Sequence, residues 1–306
     1  DTDALPIQEV NTFLHKSKIK GVAHKCGHDG HSTIMCGVAM MLQKNALKNK
    51  AVLLFQPAEE IGEGAKLVMN HPNFKPLKLD YCYALHNMPA YAKGKIIVKN
   101  NAFTAAVASM VLKLNGKSAH AAEPEHGFNP SYAISKILLD SKKLIKPDLN
   151  SNEFTLITPT HGMFGDDFAY GTSAFYGELR LTIRAWTNTQ LDCIKNALTT
   201  LAHKVCNDEN IKPQIEWTQE FRANINHNTA LKNVISAAQK NNYGVIERPT
   251  PFKWGEDFGL FTEHIKGCMF GVGSGADCPA LHNPDYDFPD DITPIAAQVF
   301  FNILSN

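Results

Sequence analysis

His24-Lys25-Cys26-Gly27-His28-Asp29-Gly30-His31 gathers three imidazoles, a thiol and a carboxylate into one short stretch. Thiolates and neutral imidazoles are good donors for zinc and neighbouring divalent ions, and the two glycines let the backbone turn so that those side chains converge. Directly after it, Ile34, Val38, Met41 and Leu42 recur at helical spacing. That pattern predicts a helix with His28 and His31 at its N-terminus and Asp29 or Ser32 as its cap. Three further stretches follow apolar runs downstream: Gln56-Pro57-Ala58-Glu59-Glu60, Ala84-Leu85-His86-Asn87 and Ala280-Leu281-His282-Asn283-Pro284.

Ala51-Val52-Leu53-Leu54-Phe55 predicts a short strand buried on both faces of a parallel sheet, with Glu59 and Glu60 at its C-terminal end. A helical stretch around Ala65 to Met69 follows, then a strand from Leu79 to Leu85 that ends at His86. In open α/β sheets the ligand crevice lies at the carboxyl ends of the strands, so these distant residues can meet there. From Phe103 the pattern changes. Strands are predicted over 105–114, 154–158, 175–184 and 214–218, with helices opened by Asn129-Pro130 and by Thr187 or Asn188. The order β-α-β-β-α-β is that of a small ferredoxin-like domain. After Gln219 the chain returns to α/β, with helices near 230–240 and 257–262, a strand at 268–271 and a last helix opened by Thr293-Pro294. The expected fold is therefore a discontinuous α/β domain, 1–102 and 219–306, with an inserted ferredoxin-like domain over 103–218.

Composition narrows the function. The 306 residues hold 30 Lys plus Arg and 30 Asp plus Glu, so the net charge is zero and neither nucleic acid nor an anionic membrane is called for. No apolar run approaches the length of about 20 residues that a bilayer requires. Seven cysteines without framework spacing point to a reducing, cytoplasmic setting. Cys36 on the first helix and Cys82 in a strand are expected to be buried, inert thiols.

Adjacent carboxylates are usually solvated, but Glu59-Glu60 ends an apolar run. If one glutamate binds metal and its neighbour is held beside the attacking water, the pair supplies a Lewis-acid site and a general base. Other apparent signals fail. Gly116-Lys117-Ser118 resembles the tail of a phosphate loop, but Val111 stands where its first glycine belongs, and Gly62-Glu63-Gly64 lacks the rest of a dinucleotide fingerprint. A structural zinc module is disfavoured because its ligands are local in sequence, whereas these span the chain.

The strings HKCGHDGH, FQPAEE, ALHN, GKSAHAAEPEHGFNP, GEDF and LHNPDYDFPDD, in that order, resemble the amidohydrolase subfamily of metallopeptidase family twenty, which includes hippurate hydrolase and N-acyl-amino-acid amidohydrolases. The resemblance implies a two-metal catalytic domain with an inserted lid domain. It makes Cys26, His28, Glu60, His86 and His282 the metal ligands and Glu59 the general base. It also implies that His120 reaches the reacting amide, in several relatives from the partner subunit of a dimer. The implied cofactor is a pair of divalent ions, zinc, manganese, nickel or cobalt. The expected partner is a small N-acyl amino acid or peptide-like amide, with a homodimer through the lid domain as the implied assembly. A dipeptidase, an N-acetyl-diaminopimelate deacetylase and a catalytically silent binding protein are the rival readings. Relatives carry a strand-helix portion before the segment that here is Asp1 to Pro6, so part of the catalytic domain is expected to be lacking. The stretch 165–178 also lacks an Asn-Val-Ile-Pro element that many relatives have.

Overall fold

The computed structural model describes every residue except Ala46, Lys48, Phe168 and Asn306. In chain order its main elements are α1 (His28–Lys44), α2 (Gly64–Asn70), β1 (Tyr81–Pro89), β2 (Ile96–Val98), β3 (Asn101–Ala102), β4 (Ala106–Asn115), α3 (Pro130–Ser141), β5 (Thr155–Phe164) and β6 (Tyr176–Ala185). There follow α4 (Asn188–Asp208), β7 (Pro213–Phe221), β8 (Ile225–Asn226), α5 (Asn228–Gln239), β9 (Val245–Glu247), α6 (Gly259–Thr262), β10 (Lys266–Gly275) and α7 (Thr293–Leu304). The chain divides into two compact units. One comprises Asp1–Thr104, Asn224–Phe252 and Glu256–Asn306, and the other Ala105–Ala223 with Lys253–Gly255. The boundary expected at 218 falls inside β7, whose ladder with β4 runs on to Phe221.

The first unit is built on a mixed sheet in the order β1-β10-β2-β9, with β1 parallel to β10, β2 antiparallel to β10, and β9 parallel to β2. Its core is where the periodic apolar residues of the helices meet the sheet. Ile34 and Val38 of α1, Val234 and Ala237 of α5, and Val299 and Phe300 of α7 pack with Leu85, Ile96, Phe270 and Val272. Burying one such side chain contributes about 1.5–3 kcal/mol, so this stripe anchors α1 and with it the loop that carries Cys26 and His28.

Three local expectations differ from the structure. Residues 51–55 form no ladder among the described residues, and Val52, Leu54 and Phe55 are exposed while Leu53 alone packs on the core. An apolar run is a strand only where a neighbouring backbone supplies hydrogen bonds, and β1 pairs here with β10 instead. Neither Asp29 nor Ser32 caps α1: Gly27, at φ 89°, occupies the cap position, and Asp29 lies in the first turn. Cys36 is exposed, because the buried stripe of α1 runs through Ile34 and Val38 and leaves position 36 facing outward.

The second unit has the strand order β5-β6-β4-β7, all antiparallel, which with α3 and α4 makes the βαββαβ ferredoxin-like arrangement. Its helix starts follow the sequence signals. Asn129 accepts from the Ser131 N–H and Thr187 from the Gln190 N–H, caps that typically contribute about 1 kcal/mol each. Ile134, Ile137, Leu191, Leu198 and Val205 bury against Met110, Leu112, Leu179 and Leu181.

Candidate metal centre

Four segments of the first unit bring the sequence-predicted ligands together. The turn through Gly27 into α1 carries Cys26 and His28. A second turn, in which the Gly62 N–H donates to the Glu59 carbonyl at 2.8 Å, carries Glu59 and Glu60. His86 lies on β1, opposite Gly271 of β10. His282 is reached by a loop whose backbone N–H at that residue donates to the Lys25 carbonyl at 2.8 Å, and His282 itself adopts a left-handed φ of 67°. A non-glycine residue in that region is uncommon and is held there by its surroundings. Lys25, fully buried, ties this corner together by donating to Glu9 Oε1 at 2.6 Å and to the Tyr286 carbonyl at 2.7 Å.

The side-chain atoms face one another at the separations expected of ligands around a common centre. Cys26 Sγ lies 3.5 Å from His86 Nε2, and His28 Nε2 lies 3.8 Å from both Glu59 Oε2 and Glu60 Oε1. His282 Nε2 lies 3.6 Å from Glu60 Oε2. Bonds of about 2.0–2.3 Å at tetrahedral angles place ligand atoms roughly 3.3–3.8 Å apart. His28 Nε2 and Glu60 Oε1 are also buried with no hydrogen-bond partner. Such orphans are costly unless something else satisfies them. A soft thiolate, imidazoles and carboxylates together suit zinc and its divalent neighbours, so the residues fit a metal.

The electrostatics agree. Burial, and then the charges of Glu60 and Glu59, push the Cys26 thiol well above its usual range. Glu59 is raised by burial and then by Glu256, Asp257 and Glu60, while burial and then Asp257 lift Glu256 to about 7. Crowded, buried acids of one sign are what a cation offsets. The imidazoles of His31 and His86 are lowered, first by burial and then by neighbouring histidines, which keeps them neutral.

Sequence reasoning gave no role to the residues that hold these groups in place. Asp3 Oδ1 accepts from His28 Nδ1 at 3.0 Å and its Oδ2 accepts from the Glu60 N–H at 3.0 Å, so one carboxylate fixes two neighbours. Burial works to raise Asp3, but these bonds hold it down at about 2. Asp257 accepts from Gln56 Nε2 and from the Ala65 N–H, each at 2.8 Å, and its own N–H reaches Glu59 Oε1 at 3.4 Å. Gly64 makes this approach feasible, since a Cβ there would collide with the Pro57 carbonyl. The available signals were the Asp1 to Pro6 segment, which precedes the first motif, and the Glu256-Asp257 pair within GEDF, neither of them marked by an apolar run. His120 belongs to the inserted unit, where it is exposed and its Nδ1 accepts from the Ala122 N–H at 3.0 Å.

Comparison with known proteins accords with this geometry. The profile of peptidase family M20/M25/M40 matches residues 1–306. An N-acetyl-L-cysteine deacetylase of Bacillus subtilis is 30% identical over 98% of this chain and 71% of its own length. The crystal structure of a dinuclear metal binding peptidase of the M20 family, also from Bacillus subtilis, superposes with a TM-score of 0.81 at 25% identity, covering 99% of this chain and 78% of that one. An aminobenzoyl-glutamate utilization protein from Klebsiella pneumoniae shares the fold, with a TM-score of 0.69 at 17% identity over 90% of this chain and 67% of that one. Thiol, imidazoles and carboxylates converging in one centre that is buried except at the exposed His282, on a chain matched along its whole length, place it in peptidase family M20/M25/M40 as a metal-dependent amidohydrolase.

Proposed function

We propose that Cys26, His28, Glu60, His86 and His282 hold two divalent ions, and that Glu59 is the general base for hydrolysis of a small N-acyl amino acid or related linear amide. The observation that carries this reading is the pair of buried, unpartnered atoms His28 Nε2 and Glu60 Oε1, with Glu59 Oε2 3.8 Å from that same His28 nitrogen. When bound, the ions polarise the amide carbonyl and acidify the attacking water.

The chain's own residues do the rest. The hydrogen bonds of His28 Nδ1 to Asp3 and of His86 Nδ1 to the Asn87 carbonyl put the ring hydrogens on Nδ1, so Nε2 is in each ring the basic nitrogen that would take a metal. Glu59, raised by burial and by the neighbouring acids, takes the proton of the water as it attacks and delivers it to the amine nitrogen as the C–N bond breaks. His120 donates a hydrogen bond to the oxyanion as charge develops, and an arrangement in which it acts across a homodimer formed through the inserted domain fits the subfamily resemblance. The deacetylase relative supports an N-acyl amino acid as substrate. Free cysteines throughout the described residues accord with a cytoplasmic setting.

The test is a metal titration with zinc and with manganese, followed by a panel of N-acetyl and N-benzoyl amino acids, dipeptides and N-acetyl-diaminopimelate. Metal-dependent release of the amino acid from the acyl substrates supports the reading. Preference for dipeptides or for the diaminopimelate derivative replaces the substrate class. Metal binding without turnover of any of them overturns the catalytic reading in favour of a silent binding protein.

A further inference from the structure

Asn87 touches both sides of the metal centre. Its backbone carbonyl accepts from His86 Nδ1 at 2.9 Å, and its amide packs so tightly on Gly27, between Cys26 and His28, that a Cβ there would come within 2.9 Å of it. The two ends of that amide meet two buried groups, His31 Nε2 and the Tyr286 hydroxyl. His31 Nδ1 in turn lies 2.8 Å from Asp1 Oδ1, and the Asn87 backbone N–H points at His31 Nε2 from 3.3 Å.

Counting donors and acceptors gives a direction to every bond in this chain. The Asp1 carboxylate only accepts, so His31 Nδ1 carries a hydrogen. The Asn87 backbone N–H only donates, so His31 Nε2 accepts, and a neutral imidazole meets both demands. The amide stands with Oδ1 toward His31 Nε2 and Nδ2 toward Tyr286, which sets an acceptor against a nitrogen that must itself accept. A half-turn about the Cβ–Cγ bond exchanges two atoms of nearly equal position and removes the conflict. Nδ2 then donates to His31, and Oδ1 is left for the hydroxyl of Tyr286 to bond.

We infer that Tyr286 is a positioning residue for the metal centre: its hydroxyl donates to Asn87 Oδ1, Asn87 Nδ2 donates to His31 Nε2, and His31 Nδ1 donates to Asp1. The chain holds the Asn87 backbone against His86 and the Asn87 amide against Gly27, so the orientation of two ligand-bearing segments depends on one phenol. Burial of Tyr286 to 1% exposure places its hydroxyl where water cannot substitute for it. This inference rests on the reading of Cys26, His28 and His86 as ligands.

Two measurements test it. Two-bond ¹H–¹⁵N correlation spectra of the zinc-loaded, histidine-labelled protein should show His31 as a neutral ring with its hydrogen on Nδ1; a hydrogen on Nε2, or a doubly protonated ring, overturns the assignment. Tyr286→Phe, with its fold checked by circular dichroism, should raise the zinc Kd by about tenfold, within the range of losses seen when an outer hydrogen-bond partner is removed. In that variant His31 should also lose its single tautomer. A zinc Kd within about twofold of the unaltered protein overturns the positioning role. Should Tyr286→Phe fail to fold, the tautomer of the unaltered protein decides. Failure of the ligand reading is separable: the unaltered protein then binds no zinc, while the His31 tautomer is still read in the metal-free protein.

Discussion

Asp3 and His28 are joined by a 3.0 Å contact between Oδ1 and Nδ1, and the same carboxylate accepts the Glu60 N–H through Oδ2. One short side chain thereby sets the ring plane of one proposed ligand and the backbone position of another. Asp3→Asn keeps the size but presents an N–H2 where one of these donors now finds an oxygen. Zinc affinity by calorimetry is expected to fall about tenfold to a hundredfold. Unchanged affinity would show that Asp3 is a bystander.

Glu59 and Glu60 are adjacent yet separable by experiment. Glu59→Gln should retain metal and lose about 10²-fold to 10⁴-fold in turnover, the usual size of a general-base contribution. Glu60→Gln should lose metal as well, because Glu60 faces both His28 and His282. The reverse pattern would exchange the two roles.

Replacing Cys26 by Ala should weaken metal binding and abolish activity while the fold persists. The residue lies in the turn ahead of α1, outside the stripe of Ile34 and Val38 that anchors the helix. Metal content by mass spectrometry and turnover together check it, and normal values of both remove Cys26 from the centre.

The buried acids predict how metal-free stability varies with pH. Burial and then Asp257 hold Glu256 at about 7, and burial lifts Asp257 to about 6. Their values in the unfolded chain are lower, so the folded state binds more protons across this interval. The stabilisation is full below the unfolded values and is lost as pH rises through the folded ones. His31 and His86, lowered on folding, work the other way below about pH 6.5. The Tm of the metal-free protein should therefore fall between about pH 7 and about pH 8, where Glu256 still titrates, and saturating zinc should flatten that slope. A metal-free Tm that rises over the interval contradicts the assignment.

His120→Ala should retain metal and fold but lower kcat by about 10²-fold or more if the ring stabilises the oxyanion. Mixing it with Glu59→Gln tests for action across a dimer, since one site of each mixed dimer would carry both intact residues. Normal turnover in His120→Ala removes the role. Confirmed mixed dimers without rescue remove only its cross-subunit form.

Much of the fold was legible because its signals are local. The alternation through β6, the Asn129-Pro130 and Thr187 caps, and the helical spacing of Ile34 and Val38 each follow from backbone geometry within a few residues. The run 51–55 misled for the complementary reason. Its apolar composition is a local property, whereas a ladder requires a partner that the run itself does not specify.

The same division holds for the site. Sequence alone supplied the proposed donor set: the motifs that carry the family resemblance assign Cys26, His28, Glu60, His86 and His282 as ligands, with Glu59 beside them as the proposed base. Tertiary structure alone decided what holds and tunes that set: Asp3 beneath His28, Asp257 against Glu59 from 198 positions away, and the chain from Tyr286 through Asn87 and His31 to Asp1. Hydrogen bonds and desolvation act through space over a few ångströms, and the distances that make Asp3 a strong acid and Glu256 a weak one exist only once the chain is folded.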